Sequence, residues 1–199
     1  NGVSHSDFNY QLDEWNYLDG SHVWESVGYM AFDEGIQTVQ GMTVEAGKVT
    51  TDENWVTVPI NSNPSTTPVV LAQCVSYDGS DAVTVRIRNV TTTSFEVKLQ
   101  EEENLGNHCN ELIHYMVIKP GVYGNFEVKL VNNVTDSWKT ITGLTGPGMC
   151  GPYMMANIQT YNGSDPAALR RDWITGTDYR IKIEEEESED SETTHINET

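Results

Sequence analysis

Apolar and polar residues alternate with a period of two along most of this chain. Residues 55–58 and 83–88 show the alternation clearly, and no stretch keeps the 3.6-residue period of an amphipathic helix. The connecting segments are short and rich in Asn, Asp, Gly, Ser and Thr, which favour turns. The chain is therefore predicted to be all-β, with strands over residues 42–50, 55–60, 68–77, 82–89, 94–101, 111–119, 126–134, 138–142, 152–161, 167–172 and 179–185.

A repeat with an offset of 84 residues divides these strands into two units. Tyr77-Asp78-Gly79-Ser80-Asp81 recurs as Tyr161-Asn162-Gly163-Ser164-Asp165, and residues 94–98 recur as residues 178–182. Each copy is long enough to bury a small core, and six short antiparallel strands form a two-sheet sandwich. We therefore expect two tandem six-stranded antiparallel β-sandwiches, a first unit over residues 41–120 and a second unit over residues 121–199.

A second motif, His-x-x-Glu, shows where the repeat is cut. It occurs as His22 to Glu25, His108 to Glu111 and His195 to Glu198, and an apolar strand-like run follows only the first two copies. The second unit thus lacks its last strand within the sequence order. Residues 1–40 form a partial repeat with two strands, and its residues 25–32 are a spare copy of the missing strand. The residues assigned to this donor strand are Glu25, Val27, Tyr29, Ala31 and Phe32.

A sandwich without its last strand exposes backbone donors and acceptors along a sheet edge. We expect residues 25–32 either to close the second unit of their own chain or to insert into the second unit of a neighbouring copy. The second arrangement runs head-to-tail and does not close on itself, so it generates a filament. A third interpretation is that the chain is a piece of a longer tandem-repeat adhesin, with the missing strand beyond residue 199.

The charge of the chain limits its partners. It has 11 Lys and Arg against 30 Asp and Glu, which gives a net charge of −19. Nucleic acid and an anionic membrane surface would repel this field, so neither is expected to bind. No apolar run approaches the roughly 20 residues that span a bilayer. The expected partners are therefore other copies of the chain, glycans and cations.

The acidic segment 184–198 has the low hydrophobicity and like charge that are typical of disorder. Its homologous segments in the earlier copies are predicted to be loops between strands. We therefore expect this segment to lie between a strand of its own and a strand supplied from elsewhere.

The sequons, together with the acidity and the repeat, favour an extracellular or cell-surface location, whereas the cysteines indicate no disulfide framework. Cys74, Cys109 and Cys150 do not occupy equivalent repeat positions, so they are not a disulfide framework. Buried unpaired thiols are expected, with a Cys109–Cys150 bond as the alternative in an oxidising setting. Four sequons fall in turn-like sequence, where a glycan can be attached without burial. The candidate glycosylation sites are Asn89, Asn133, Asn162 and Asn197.

The order of short motifs within a unit is also informative. An aromatic strand with Trp55 or Trp138 precedes Pro-Val-Val-Leu-Ala or Pro-Tyr-Met-Met-Ala, then come an Arg-bearing strand, Asn-Val-Thr-Thr-Thr-Ser-Phe-Glu-Val and a closing Gly-Tyr-Met-Ala strand. This order resembles the H-type lectin domain. The resemblance implies a six-stranded antiparallel sandwich that assembles as a trimer and binds galactose-type or N-acetylgalactosamine sugars. The acidic insertion and the Tyr-x-Gly-Ser-Asp loop are more similar to tandem repeats of large secreted microbial proteins.

Three acidic clusters are candidate calcium sites, because neighbouring carboxylates repel one another unless a cation lies among them and Ca²⁺ takes six to eight oxygens. The favoured alternative is that Arg86, Arg88, Arg170 and Arg171 pair with the glutamates across strands. The candidate ligands are Asp13, Glu14, Asp19, Glu101, Glu102, Glu103, Glu184, Glu185 and Glu186.

The His-x-x-Glu motif invites a metal-binding or acid–base interpretation. On a strand, however, positions i and i+3 point to opposite faces, so a structural turn is favoured. The sequence has no Gly-x-Ser-x-Gly, His-Glu-x-x-His or Gly-rich phosphate loop, and Cys109 does not form a catalytic pair with His108 through adjacency alone. We therefore expect a protein that is not an enzyme.

The Tyr-x-Gly-Ser-Asp loops place an aromatic ring beside Gly, Ser and Asp, a combination that stacks on a sugar ring and hydrogen-bonds its hydroxyls. A tight turn, which we favour, explains the same residue types. The candidate sugar-binding residues are Tyr77, Asp78, Asp81, Tyr161, Asn162 and Asp165.

Taken together, these patterns predict an extracellular structural protein, a subunit or one period of a filament, fibre or surface layer. Its H-lectin-like units would be joined head-to-tail by β-strand complementation and stiffened by Ca²⁺. The alternative is a secreted carbohydrate-binding module.

Overall fold

Antiparallel strands make up all the regular secondary structure in the part of the chain that is described. The computed structural model describes residues 7–144 and 153–199. These residues contain no helix, and so none that could cross a membrane. The all-β prediction is confirmed. The strands are β1 (Gly35–Val39), β2 (Met42–Thr51), β3 (Val56–Pro59), β4 (Val69–Cys74), β5 (Thr84–Arg88), β6 (Ser94–Gln100), β7 (Glu111–Ile118), β8 (Gly121–Tyr123), β9 (Phe126–Val128), β10 (Lys139–Ile141), β11 (Ala167–Thr175) and β12 (Asp178–Glu185).

The first unit contains two sheets that share a core. One sheet has the order β1-β2-β7-β4 and the other has the order β3-β6-β5. In the first sheet, β7 lies between β2 and β4, so that Ile118 is opposite both Val44 and Val69. Apolar residues at alternate strand positions point inwards from both sheets. The buried core consists of Val58, Ile60, Val70, Ala72, Ile87, Phe95, Val97, Leu99, Ile113 and Val117.

β1 was not predicted from the sequence. It forms a hairpin with β2, and the two-residue turn Gln40-Gly41 has φ of 51° and 84°. Positive φ at both central positions matches the turn type that suits a twisted two-residue hairpin. The turn was missed in the sequence because its first position is Gln, whereas Asn, Asp and Gly are the usual residues there.

The second unit has one well-formed sheet, with the order β10-β12-β11. Its core is smaller and is formed by Val134, Ile158, Ala167, Ile181 and Ile183. The strand predicted over 152–161 is wrong for residues 153–161, which form no ladder, and β9 ends at Val128 although its strand was predicted to reach residue 134. Both segments are homologous to strands that pair with β7 in the first unit. Without that central partner they have no ladder to join.

The donor segment 25–32 is not a strand in this structure, contrary to the prediction. Val27 and Tyr29 are 43% and 66% exposed. Phe32 packs against the small core of Met42, Val44 and Ile118 at the junction of the units. A strand needs backbone partners on at least one side, and this segment has formed no ladder.

Candidate functional site

An open slot in the second unit forms a cavity in the described part of the chain. Its volume is about 680 Å³, and it lies between residues 126–131 and 153–159. The lining is largely apolar and includes Val128, Met154, Ile158, Leu169 and Ile183. Val27, Gly28, Tyr29 and Met30 of the donor segment lie along the same cavity.

The first unit shows what fills this position. There, Val75 N–H donates to Leu112 O at the start of β7, over 2.8 Å. In the second unit, Gln159 N–H donates in the same way to Thr199 O over 2.7 Å, and Val134 exchanges two backbone hydrogen bonds with Glu198. Residues 198 and 199 therefore lie where the first two residues of β7 lie in the first unit. The slot continues along the path that the rest of β7 takes.

A cluster of buried Glu, His and Glu stands at this entrance in each unit. In the first unit, His108 Nδ1 is 2.5 Å from Glu101 Oε1, and His108 Nε2 is 3.2 Å from Glu111 Oε1. Glu111 also accepts hydrogen bonds from Asp78 N–H and Gly79 N–H, each over 2.7 Å. The ring of His108 packs directly on Gly79. The cluster thus fixes the Tyr77–Asp81 loop to the start of β7.

The second unit repeats the arrangement atom for atom. His195 Nδ1 contacts Glu185 Oε1, and His195 Nε2 is 3.2 Å from Glu198 Oε1. Glu198 accepts hydrogen bonds from Asn162 N–H over 2.9 Å and from Gly163 N–H over 3.1 Å. We call these two groups the Glu–His–Glu clusters. The expectation that His and Glu at i and i+3 point apart is wrong for both, because each histidine lies in a segment without regular secondary structure rather than on a strand.

The copy of the motif at His22 behaves differently. His22 contacts only its neighbour's backbone, with Nδ1 2.8 Å from Val23 O, and Glu25 is exposed. Among the described residues, the cluster thus forms at His108 and His195 and not at His22.

Burial and hydrogen bonding set the charge state of the second cluster. Burial favours neutral His195, but its contacts with Glu198 and Glu185 outweigh burial, so its pKa is raised. Burial also disfavours ionised Glu198, yet His195, Thr160 and two backbone N–H groups hold its pKa below the usual value. For Glu185, burial dominates and raises the pKa. The cluster thus favours a protonated His195 beside an ionised Glu198.

This charge state predicts a pH dependence of folding. The stability from His195 is complete below its unfolded pKa of about 6.5 and is lost as pH rises through the raised folded value. The stability from Glu198 is present above about pH 4.3 and is lost as pH falls through the lowered folded value. We therefore expect unfolding free energy, measured by denaturant titration, to be highest near pH 5–6. His195→Gln should flatten the alkaline limb, whereas His22→Gln should leave it unchanged; an unaltered limb in His195→Gln would contradict this assignment.

The first unit docks on the Tyr161–Asp165 loop of the second through Arg86. This side chain is fully buried, and its two Nη atoms donate to Asp165 O over 2.6 Å and to Gly163 O over 3.2 Å. Its guanidinium also lies 4.7 Å from the ring centre of Tyr161 and 3.8 Å from Glu198. Burial lowers the pKa of Arg86, and Glu198 opposes that effect. One arginine thus links the two units and the second Glu–His–Glu cluster.

Two side-chain amides of the second unit cover the free edge of β4. Gln159 accepts from Val70 N–H over 3.1 Å and donates to Pro68 O over 3.2 Å. Asn157 accepts from Ala72 N–H over 3.2 Å and donates to Ala72 O over 3.1 Å. These amides replace a neighbouring strand, which protects the edge of the first sheet. Sequence reasoning missed them, since no motif marks an amide that pairs with a distant backbone.

The predicted calcium ligands are distributed over several environments. Glu101 and Glu185 belong to the Glu–His–Glu clusters, and Glu184 pairs with Arg170 and Lys182. Glu102 and Glu186 are buried at the unit junctions, where their oxygens accept backbone N–H groups. Among the described residues, the group of potential ligand atoms that lies within 4.8 Å consists of His108, Cys109 and Glu111. Calcium binding stays a prediction.

Like charges do face one another across the junction of the units. Burial and the neighbouring Asp165 raise the pKa of Glu103 to about 7, and Glu186 and Asp190 add to the effect. Burial and Asp81 likewise raise the pKa of Asp13. The junction therefore carries repulsion that a cation or a shared proton would relieve.

Arginine pairing with a clustered glutamate, the alternative to calcium, occurs at Arg170, whose Nε donates to Glu184 on the adjacent strand. Arg88 Nε donates over 2.5 Å to Glu96, which lies outside the acidic clusters. Arg171 lies along the slot. Arg86 makes the junction described above, which the sequence did not reveal.

The two candidate sugar loops differ in exposure. Tyr77 is 60% exposed, and its hydroxyl donates to Ser80 O over 3.2 Å. The ring of Tyr161 is 5.1 Å from that of Trp55 and is also contacted by Arg86 and Lys98. Sugar stacking stays a prediction for Tyr77, and the observed partners of Tyr161 are side chains of the first unit.

Cysteines and sequons complete the predicted set. Cys109 is exposed and Cys74 is half-buried, so the expectation of buried thiols is wrong for Cys109. Cys150, and with it the Cys109–Cys150 bond, lies outside the described residues. The four sequon asparagines, Asn89, Asn133, Asn162 and Asn197, are all exposed.

Comparisons with known proteins give one relative. The chain is 28% identical over 201 residues to Halomucin from Haloquadratum walsbyi. The similarity covers 96% of this chain but 2% of the length of Halomucin. No family model matches the chain, and no solved structure matches it.

Proposed function

We propose that this chain is a subunit or one period of an extracellular fibre or surface layer. In this proposal its units are H-lectin-like sandwiches, and the second unit accepts its missing central strand from the repeat that follows. The open slot of the second unit carries the proposal. Two residues already hold the positions where β7 begins, and the apolar cavity beyond them matches the path of β7. Two flanking segments that lack a central strand and an apolar groove between them together favour strand addition.

The donor segment supplies a strand of the required kind. Residues 25–32 follow a His-x-x-Glu motif as β7 does, and they lie beside the slot without a ladder. Insertion into another copy makes a head-to-tail contact that does not close, which yields a filament. In a longer chain, the same strand of the next repeat fills the slot in cis.

The extracellular location has two supports. All four sequons are exposed, which leaves them accessible to glycosylation. The similarity to a short segment of Halomucin, whose name denotes a mucin, also favours a surface protein made of many such segments.

Assembly is tested by sizing and negative-stain microscopy of the intact chain and of a variant that lacks residues 1–32. Salt near 1 M shortens the Debye length to about 3 Å, which suppresses repulsion between chains of net charge −19. We expect filaments or oligomers from the intact chain and monomers from the deletion. Parallel samples with and without Ca²⁺ assign any dependence to the acidic junctions. Equal assembly of both proteins would refute donation by residues 25–32.

Carbohydrate binding is the second candidate function, and the exposed ring of Tyr77 favours it. Tyr77→Ala should then abolish binding of galactose-type ligands on a glycan array, while Tyr10→Ala, which removes another exposed tyrosine, should not. Binding that survives Tyr77→Ala would remove this loop from consideration.

A further inference from the structure

The face of the second unit that carries Trp138, Arg170 and Lys182 is exposed, although its counterpart in the first unit is occupied. The counterpart consists of Trp55, Arg86 and Lys98, and it binds the Tyr161–Asp165 loop. Arg170 follows Arg86 by 84 residues, and Lys182 follows Lys98 by the same interval. The side chain of Arg170 is 54% exposed and Trp138 is 42% exposed, whereas the side chain of Arg86 is 0% exposed.

An arginine and a lysine lie over the tryptophan ring in both units, although the two arginines, Arg88 and Arg180, occupy non-homologous positions of the repeat. In the first unit, Arg88 lies 4.0 Å and Lys98 5.4 Å from the ring centre of Trp55. In the second unit, Arg180 lies 4.5 Å and Lys182 5.5 Å from the ring centre of Trp138. The cations therefore lie over the ring of Trp138 although no loop covers this face in the described residues.

The complementary loop, Tyr77–Asp81, lies in the first unit, where Tyr77 is 60% exposed and Asn16 of the partial repeat donates to Asp81 over 2.8 Å. The Tyr77–Asp81 loop has the same internal hydrogen bond as the Tyr161–Asp165 loop, from the tyrosine hydroxyl to the serine carbonyl oxygen, over 3.2 Å and 3.0 Å. Both loops are held by a Glu–His–Glu cluster. They therefore present the same carbonyl groups, of which those of Gly163 and Asp165 are bound by Arg86.

A third observation shows that unit junctions reuse their contacts. At the junction of the two units, Glu103 N–H donates to Glu186 over 3.0 Å. At the N-terminal side of the first unit, Tyr17 N–H donates over 3.4 Å to Glu102, which is the residue homologous to Glu186. The partial repeat thus contacts the first unit as the first unit contacts the second.

We propose that the face of Trp138, Arg170 and Lys182 is the docking surface for the Tyr77–Asp81 loop of a second copy of this chain. Arg170 binds the carbonyl groups of Gly79 and Asp81, and Trp138 packs against Tyr77. The docking deepens the proposed head-to-tail assembly and rests on it, since the strand slot brings the two copies into this register. It adds a side-chain interface that does not depend on the strand ladder.

The two faces differ at one residue that matters for docking, Gln100 in the first unit and Glu184 in the second. Gln100 donates to Ser164 O over 2.6 Å, but its homologue is Glu184, which has no proton to donate and pairs with Arg170 and Lys182. Arg86 keeps a hydrogen bond to Gln100 Oε1 over 3.3 Å while it binds the loop, so Arg170 can stay beside residue 184 on docking. Glu184→Gln is expected to tighten docking, because it restores the donor to the serine carbonyl group.

A tandem fusion tests the docking without relying on self-association. Thr199 is joined directly to a second copy that begins at Val27, so that the donor strand continues from Glu198 and Thr199 as β7 continues from Glu111 and Leu112. Arg170→Ala in the first copy should raise the unfolding equilibrium constant of the fusion at least about tenfold more than that of the single chain. This is the effect expected from the loss of a charged hydrogen bond. Glu184→Gln should stabilise only the fusion. Lys48→Ala and Glu34→Gln, which change charge equally at an exposed pair, are the matched controls.

Two readouts separate this inference from the proposed function. Hydroxyl-radical footprinting should show protection of Trp138 and of Tyr77 in the second copy, and amide exchange of residues 126–134 and 153–159 reports whether the slot is filled. Filled slots with equal effects of Arg170→Ala in fusion and single chain would overturn the docking face and leave strand complementation standing. Unfilled slots would overturn strand complementation, and in that case undiminished exposure of Trp138 would overturn the docking face as well.

Discussion

Arg86→Ala should destabilise the chain by about 3–5 kcal/mol, because it removes one partner from a buried charged network. The side chain is fully buried, and its loss removes the donors to the carbonyl groups of Gly163 and Asp165 and leaves His195 as the cationic partner of Glu198. The cost is measured as the change in unfolding free energy by urea titration near pH 7.

Arg170→Ala is the matched control, since it removes the homologous arginine from the exposed face. Its pair with Glu184 lies at the surface, where such pairs contribute about 0–1 kcal/mol. Equal costs for the two substitutions in the single chain would contradict the assignment of Arg86 as the link between the units.

Gly79→Ala should cost about 1–3 kcal/mol, because the new methyl group has no room. A Cβ at this position would lie 2.4 Å from Cε1 of His108, and the ring cannot retreat while Glu101 and Glu111 hold both of its nitrogens. The substitution thus strains the Glu–His–Glu cluster and the loop together. Thermal or urea unfolding measures the effect.

Gly106→Ala provides the control for this prediction. A Cβ there meets nothing within 4 Å, so the substitution should be neutral or slightly stabilising through the unfolded state. A cost for Gly79→Ala no larger than that of Gly106→Ala would mean that His108 is not rigidly held. Gly163→Ala, where the same distance to His195 is 2.5 Å, should repeat the result in the second unit.

The strands of the first unit were predicted well, because each of them finds its pairing partners within that unit. Alternating residues located β2, β4, β6 and β7 to within a few residues, as the core positions of Phe95, Val97 and Leu99 illustrate. The same reasoning overestimated the strands at residues 126–134 and 152–161. Their propensity is unchanged, but a strand without a neighbour leaves its backbone groups unpaired, and pairing is not a local property.

The candidate site was only partly visible in the sequence. The His-x-x-Glu motif and the Tyr-x-Gly-Ser-Asp loop were both recognised, yet their contact was not, since it joins positions about 30 residues apart through a turn. The recurrence of Glu101 as Glu185 ahead of each histidine was the available signal for the third member of the cluster. No sequence feature distinguished Arg86, which is buried, from its homologue Arg170, which is exposed.

Filling of the open slot is measured most directly by amide hydrogen exchange on the variant that lacks residues 1–32, with and without a synthetic peptide of residues 25–33. Strand complementation predicts that the peptide slows exchange at residues 126–134 and 153–159, which flank the cavity, and that a scrambled peptide does not. Exchange at these amides that is equally fast with both peptides would contradict the assignment of the slot to a donated strand.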